Sequence, residues 1–514
     1  LRLFNARRDW LVLSFEEPAA FLDDFDLFWL LSYENVVNGR LDDLSNQRHR
    51  EDVDANYLDF INQWRQRLAQ NVLERPADNP WAFDDDGQVK LAELRAVVQR
   101  ILDRLVVVRF AEDHLVIPAG TLYSFLEMRQ RNPYTFSLSQ FFQELYRRFD
   151  EYHNSALFAP HPADQASFDD AVLIGLIQKL YEARYRAMTP DIMGNTYEQY
   201  LGKTLALSHK RIETVDNLET RKKQGSYYTP QVIVRYLVDN SLGRYLYGTA
   251  DGQPEGPPLA GESRKTAVAS QELRLIDPAC GSGSFLIYAY QVLADFYRRE
   301  MKRLETEREA RLAELMAAGQ SSPFDLQIQL APFRVELNRL RDYPRLILET
   351  HLYGVDLDPQ AAEIATVNLM MRAMADQQSS QKRLPLILNQ NIKVGNSLIG
   401  VGPADGRIQP FASQLAQLRA LRLKVAQNPH DPAHNADLKA IEALSDALNG
   451  ALDGDFAPQF AGVGLAAIRP FHWAVAFPEI FLDEQGQPKG AAAGGDVVAG
   501  NPPWEVVEAD PREY

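Results

Sequence analysis

The sequence predicts an α/β fold, in which a nucleotide-binding sheet follows a mostly helical domain. Three observations carry this. A short apolar strand, Leu273-Arg274-Leu275-Ile276, runs into a glycine-rich turn and then a helical run over residues 287–298. A second strand, His351-Leu352-Tyr353-Gly354-Val355, ends in acidic residues and leads into a helical run over 360–375. Upstream of both, apolar residues recur at three- and four-residue spacing over 57–72, 91–105 and 171–188. Strand, Gly-rich turn, helix is the opening unit of a nucleotide-binding α/β sheet.

The 514 residues suffice for about two to four domains. Hydrophobic residues make up 46% and charged residues 24%, values of an ordinary globular chain. No run approaches the roughly 20 apolar residues of a membrane span, so we expect no membrane partner. The single cysteine, Cys280, excludes a disulfide framework and a multi-cysteine zinc site. A reducing, cytoplasmic setting follows as the expectation. The net charge of -16 is awkward for a nucleic-acid binder, which needs Lys and Arg to displace counterions. A local basic surface is enough, however, and Lys203, Lys210, Arg211, Arg221, Lys222 and Lys223 make a local excess. Solvated faces explain the same charges equally well.

Along the chain, residues 1–18 contain the strand-like run Trp10-Leu11-Val12-Leu13-Ser14-Phe15 and read as the tail of an upstream domain. The chain opens on Leu1 rather than Met, so residues are expected upstream. Residues 19–218 read as a helical domain or linker. Residues 219–514 carry the chemistry, with helical insertions at about 298–345 and 410–450; the first is a charged, exposed helix pair.

The first strand leads into Asp277-Pro278-Ala279-Cys280-Gly281-Ser282-Gly283-Ser284-Phe285. Gly281 and Gly283 let backbone approach a ligand closely. Asp277, at the strand end, is placed to accept from a ligand ammonium. A dinucleotide site wants a third Gly where Leu286 stands, and no Lys-Ser/Thr pair follows, so NAD and P-loop readings are disfavoured. The second strand ends in Asp356-Leu357-Asp358-Pro359. Asp358 before Pro359 suits a helix N-cap, which leaves Asp356 for ribose hydroxyls. A third element, Ile392-Lys393-Val394-Gly395-Asn396, could bring the Asn396 amide to an adenine ring, or Asn396 could be an ordinary turn residue.

A last strand-like run, Asp496-Val497-Val498-Ala499-Gly500, ends in Asn501-Pro502-Pro503-Trp504. Two prolines stiffen the backbone and remove N–H donors. The Asn501 side-chain oxygen and the Pro502 carbonyl then form fixed acceptors for an amine with two hydrogens, whose lone pair is left free to attack. Trp504 offers a flat surface for a base. A rigid Pro-Pro turn beside a core Trp is the structural alternative.

Together these strings resemble the N6-adenine DNA methyltransferases of the Eco57I-like group, found in bacterial restriction-modification and phage-defence systems. The resemblance covers roughly residues 191–514. It implies a Rossmann-like S-adenosylmethionine-dependent methyltransferase sheet. Gly225-Ser226-Tyr227-Tyr228-Thr229-Pro230 resembles the group's first cofactor motif, whose Thr contacts the methionine carboxylate. By the same resemblance Asp277, Pro278, Ala279, Gly281, Gly283, Phe285, Asp356 and Asn396 bind S-adenosylmethionine, and Asn501, Pro502, Pro503 and Trp504 are catalytic. Asn396 stands where many members carry Asp, and Trp504 where many have Tyr. Phe471-His472-Trp473 and Phe477-Pro478-Glu479 resemble a stretch common just before the catalytic strand. The motif order is that of the gamma arrangement.

The resemblance implies methyl transfer to the N6 amine of a flipped-out adenine in double-stranded DNA, needing neither metal nor covalent nucleophile. It also implies other subunits of a restriction or defence system as partners, later strands and a target-recognition domain beyond Tyr514, and an upstream domain that can be a nuclease. Three alternatives stay open: a protein glutamine methyltransferase, an N4-cytosine methyltransferase, and a non-catalytic DNA-binding subunit.

Overall fold

The computed structural model describes residues 2–5, 10–14, 29, 31–32, 59–132, 137–153, 157–158, 161–182, 203–209, 211–216, 229–319, 322–376, 390–427, 433–456, 458, 464–490 and 493–502. Among the sequence expectations, Gly225–Tyr228, Lys210, Arg221–Lys223, Pro503, Trp504 and the lead-in over 191–201 lie outside these residues. No helix among the described residues is long and apolar enough to cross a membrane.

At the start, β1 (Arg2–Asn5) pairs antiparallel with β2 (Trp10–Ser14). The helical region centres on α1 (Leu91–Asp113), which is buried almost all round from Val97 to Glu112. A helix apolar on every side belongs inside a bundle. A helix over residues 59–74 and three more surround it: α2 (Thr121–Arg131), α3 (Leu138–His153) and α4 (Asp170–Glu182). The periodicity located these elements, but it missed a hairpin of β3 (Lys203–Ser208) and β4 (Arg211–Asp216) inside the stretch read as helical. Leu205 and Ile212 are its buried residues, and Gln66 and Gln70 pair with the Ile212 backbone at 2.8 and 2.9 Å. Six-residue strands with one buried apolar position each give little period-two signal.

The second half is built on a four-stranded, all-parallel sheet in the order β7-β6-β5-β8. Its strands are β5 (Leu275–Asp277), β6 (Leu352–Asp356), β7 (Ile392–Val394) and β8 (Val497–Val498). Side chains alternate across the sheet. Leu275 and Leu352 join the core shared with α6 (Ser284–Ala317) and α8 (Pro359–Asp376), while Ile276 and Tyr353 pack on Phe471, Phe477 and Ile480. His351 fixes the start of β6: its ring nitrogens pair with the Leu273 carbonyl at 2.8 Å and the Tyr297 hydroxyl at 2.5 Å. The same apolar core continues into the helical region, where Arg100 of α1 donates to Glu363 of α8 at 2.7 Å.

The charged stretch from Arg298 is no separate helix. It is the outer half of α6, a single helix of 34 residues, with α7 (Ala331–Leu340) packed back along it. No Gly or Pro interrupts 284–317, and pairs such as Arg303–Glu307 at 2.6 Å support the exposed turns. The second insertion is a helix pair, α9 (Ala412–Gln427) and α10 (His434–Phe456), with its own small core around Leu415, Leu418, Ile441 and Leu448.

Candidate functional site

The strand order reverses between β5 and β8. The chain moves outward from β5 to β6 to β7, then returns to β8 on the other flank of β5. In open α/β sheets this reversal opens a crevice beyond the strands' carboxyl ends. Of the residues singled out in the sequence, Thr229, Asp277, Gly281, Asp356 and Asn501 lie at these strand ends or bond to residues there.

At the end of β5, Asp277 is fully buried. Its Oδ1 accepts from the Ala279 amide at 3.1 Å, while its Oδ2 is buried without a partner among the described residues. Burial pushes its carboxyl up to about 8, and the nearby Asp356 charge adds to this. The turn then passes through Gly281 (φ 53°) and Gly283 (φ 90°), both in the left-handed region that favours glycine. Gly283 also needs the room, because a Cβ there would lie 3.1 Å from the Ala365 Cβ on α8. A Cβ on Gly281 would meet nothing within 4 Å, so this stretch of backbone faces open space. Cys280 is buried, donates its amide to the Val355 carbonyl at 2.9 Å, and has its thiol pushed up by burial. Pro278 and Ala279 are half-buried at the turn, whereas Phe285 lies in the apolar core at the start of α6.

Asp356, at the tip of β6, grips both turns. Its Oδ2 accepts from Gly281 and its Oδ1 from Asp358, each at 2.8 Å. Burial raises its carboxyl, with these backbone donors opposing. Asp358 accepts from the Gln360 amide at 2.9 Å and so caps α8. Leu357, between the two acids, is half exposed on the same rim.

After β7, Asn396 is half-buried, and its Oδ1 accepts from the Leu398 amide at 3.1 Å, which makes a tight turn. Leu398 is 92% exposed, an unusual placing for a leucine. The segment from Phe471 to Glu479 covers this turn. Phe471 donates its amide to the Ile399 carbonyl at 2.7 Å, His472 Nδ1 accepts from Val401 at 3.0 Å, and Trp473 Nε1 donates to the Ser397 carbonyl at 3.1 Å. Phe477 fills the sheet face below, and Glu479 pairs with Arg422 of α9 at 2.6 Å.

On the other flank, β8 delivers Gly500 against Asp277, where a Cβ would stand 2.4 Å from Oδ1. The next residue, Asn501, is exposed, and its Nδ2 donates to the Thr229 hydroxyl at 3.1 Å. Pro502 is exposed beside it. Thr229 is buried just before α5 (Gln231–Val238). The first and last motifs therefore meet beside the orphaned carboxylate. Arg469, which pairs with Asn396 and Leu357, carries no signal in the sequence, because these partners stand more than seventy positions away.

A glycine turn, an acid on the neighbouring strand and an exposed Asn-Pro, gathered where a parallel sheet reverses its order, define the class of α/β folds that bind ligands beyond their strand ends. Comparison with known proteins narrows the class. Three family models match: "MmeI, DNA-methyltransferase domain" over residues 264–400, "Eco57I restriction-modification methylase" over 350–513, and "N-6 DNA Methylase" over 188–315. The chain is 25% identical to the type II restriction enzyme and methyltransferase RM.Eco57I of Escherichia coli, over 74% of this chain and 34% of that protein. It is 25% identical to the adenine-specific methyltransferase BrxX of Escherichia coli O9:H4 (strain HS), over 41% of this chain and 16% of that protein. To the adenine-specific methyltransferase PglX of Lacticaseibacillus casei (strain Zhang) it is 24% identical, over 58% of this chain and 22% of that protein. The chain is thus similar to Eco57I-like and N6-adenine methyltransferase domains between residues 188 and 513, and its matches span about a third or less of the length of these relatives.

Proposed function

We propose that this chain is the catalytic part of a DNA methyltransferase. It transfers a methyl group from S-adenosylmethionine to the N6 amine of adenine in double-stranded DNA, within a bacterial, cytoplasmic restriction-modification or phage-defence system. In this reading residues 1–18 end an upstream domain, 19–218 are a helical domain, and 219–514 are a Rossmann-like catalytic domain. Other subunits of such a system are its protein partners.

The observation that carries the reading is the unpartnered Asp277 Oδ2 beside the Asn501–Thr229 pair. A buried acceptor without a donor is costly unless a ligand supplies one. The ammonium of S-adenosylmethionine is such a donor, and the open backbone at Gly281 leaves room for its chain. Pro278, Ala279, Gly283 and Phe285 shape the turn. Asp356 retains lone pairs for ribose hydroxyls, and Asn396, with Leu357 and Leu398 on the rim, faces the adenine end. The Thr229 hydroxyl accepts from Asn501 and keeps its own hydrogen for the methionine carboxylate.

The cofactor supplies a methyl group activated by a sulfonium. The protein supplies position and fixed dipoles. Because Asn501 Nδ2 is committed to Thr229, its Oδ1 is the atom turned to the substrate. With the Pro502 carbonyl it would accept the two amine hydrogens, orient the nitrogen lone pair, and disperse positive charge as the N–C bond forms and the sulfonium's S–C bond breaks; the thioether leaves and one amine hydrogen departs to water as a proton. Pro503 stiffens this acceptor pair and Trp504 stacks on the flipped base.

The test uses the full-length protein, unmethylated DNA and methyl-labelled S-adenosylmethionine, with the DNA digested to nucleosides. Label in N6-methyladenine is the expected result. Label in N4-methylcytosine or in protein would overturn the choice of substrate, and bound cofactor without transfer would overturn the enzymatic reading.

A further inference from the structure

Arg469 takes a backbone conformation that arginine rarely adopts, φ 52° and ψ 66°, directly after the short helix Leu465–Ile468. For a residue with a Cβ this left-handed region is strained, and such strain is held in place by surrounding contacts. The contacts are specific. The Arg469 amide donates to the Leu465 carbonyl at 2.8 Å, and its own carbonyl accepts from the Asn396 amide at 2.8 Å. Its side-chain Nη1 donates to the Leu357 carbonyl at 2.8 Å. Pro470 then bridges to Asn396, and Phe471 closes over Gly395 and Gly400, where any Cβ would collide with it.

One residue therefore ties the tip of β6, just after Asp356, to the turn after β7 that carries Asn396. The main chain of Arg469 holds one turn and its guanidinium holds the other. Burial raises the carboxyl of Asp358, the cap of α8, and the Gln360 amide and the nearby Arg469 guanidinium oppose that rise. Glycine would satisfy the backbone at this position more easily, but only a long side chain with a donor at its end reaches Leu357.

We propose that Arg469 is a positioning residue for the cofactor's adenosine half, holding the Asp356 and Asn396 turns at the spacing that this half requires. The inference rests on the proposed cofactor roles of Asp356 and Asn396. Of three variants, Arg469→Gly relieves the strained φ and removes the clasp, Arg469→Ala removes the clasp alone, and Arg469→Lys keeps one donor. The readouts are S-adenosylhomocysteine binding by calorimetry and thermal stability, on the full-length protein. Arg469→Gly should match or exceed the wild-type melting temperature and yet bind about three- to tenfold more weakly, the worth of one hydrogen bond. Arg469→Lys should recover part of the loss, and in turnover KM for the cofactor should rise while kcat holds. Equal affinity in all variants, or an affinity loss that follows the melting temperature, would overturn the inference alone. Failure of the wild-type protein to bind would overturn the cofactor reading and this inference with it.

Discussion

The Asn501 side-chain amide donates to the Thr229 hydroxyl at 3.1 Å, so the two ends of the catalytic half meet at one hydrogen bond. An amide fixed through its nitrogen presents its oxygen in one orientation. If that orientation serves catalysis, Thr229→Val should lower kcat about tenfold, and Thr229→Ser should restore most of it. Asn501→Ala should lower kcat by about a thousandfold while cofactor binding survives. Single-turnover methylation and equilibrium binding, measured side by side, would separate these effects. Retained turnover in Asn501→Ala would remove that residue from the mechanism.

The buried Asp277 carboxyl gives a pH signature. Its value is raised from 3.8 to about 8, so without ligand the neutral form prevails in the folded chain. A raised acid contributes stability that is present below pH 3.8 and is lost as pH rises through about 8. A cationic ligand reverses the preference, because it binds the ionised form. Below pH 8, cofactor binding should therefore release a proton and tighten as pH rises. Calorimetry in buffers of different ionisation enthalpy measures that proton, and Asp277→Asn should abolish its release.

Gly500 stands where only hydrogen fits, since a Cβ would come within 2.4 Å of Asp277 Oδ1. Gly500→Ala should displace the carboxylate or the end of β8. The expected cost is roughly 1–3 kcal/mol of stability, typical of overpacking, together with a loss of cofactor affinity. Chemical denaturation and binding titration of the same sample would test it. An alanine variant that binds normally would show that Asp277 can move aside freely.

The helical region is joined to α8 through Arg100 and Glu363, whose side chains are only 13% and 15% exposed. Alanine at each position and at both, in a double-mutant cycle, should give a coupling of roughly 1–3 kcal/mol. Either single variant should cost more than the pair alone is worth, because it leaves a charge poorly solvated. A coupling near zero in urea denaturation would mean that the apolar contacts alone join the two regions.

Much of the catalytic half could be read in the sequence because its strands end in chemically distinctive residues. Asp277 before a glycine turn, and Asp356 and Asp358 before Pro359, mark two strand ends, and Asp358 caps α8 as its place before proline implies. The β3–β4 hairpin escaped notice because one buried residue per strand makes no periodic pattern. The unity of α6 was hidden by a change of composition at Arg298, where continuous burial gives way to mostly exposed charge but the helix does not end. Phe285 reads as a ligand contact from its motif, yet its side chain faces the core. Arg469 was illegible for a different reason: a left-handed φ and a contact to Leu357 arise only when distant segments meet.

The continuity of α6 has a mechanical meaning. The helix starts at Gly283, in the turn below the proposed methionine site, and runs 34 residues without a joint, about 50 Å of rigid rod. Its inner half is clamped in the core, and its outer half is mostly exposed, with α7 packed along it. Force applied near residue 317 would reach the glycine turn as torque, because no flexible link absorbs it. Whatever grips the outer end has a lever on the pocket.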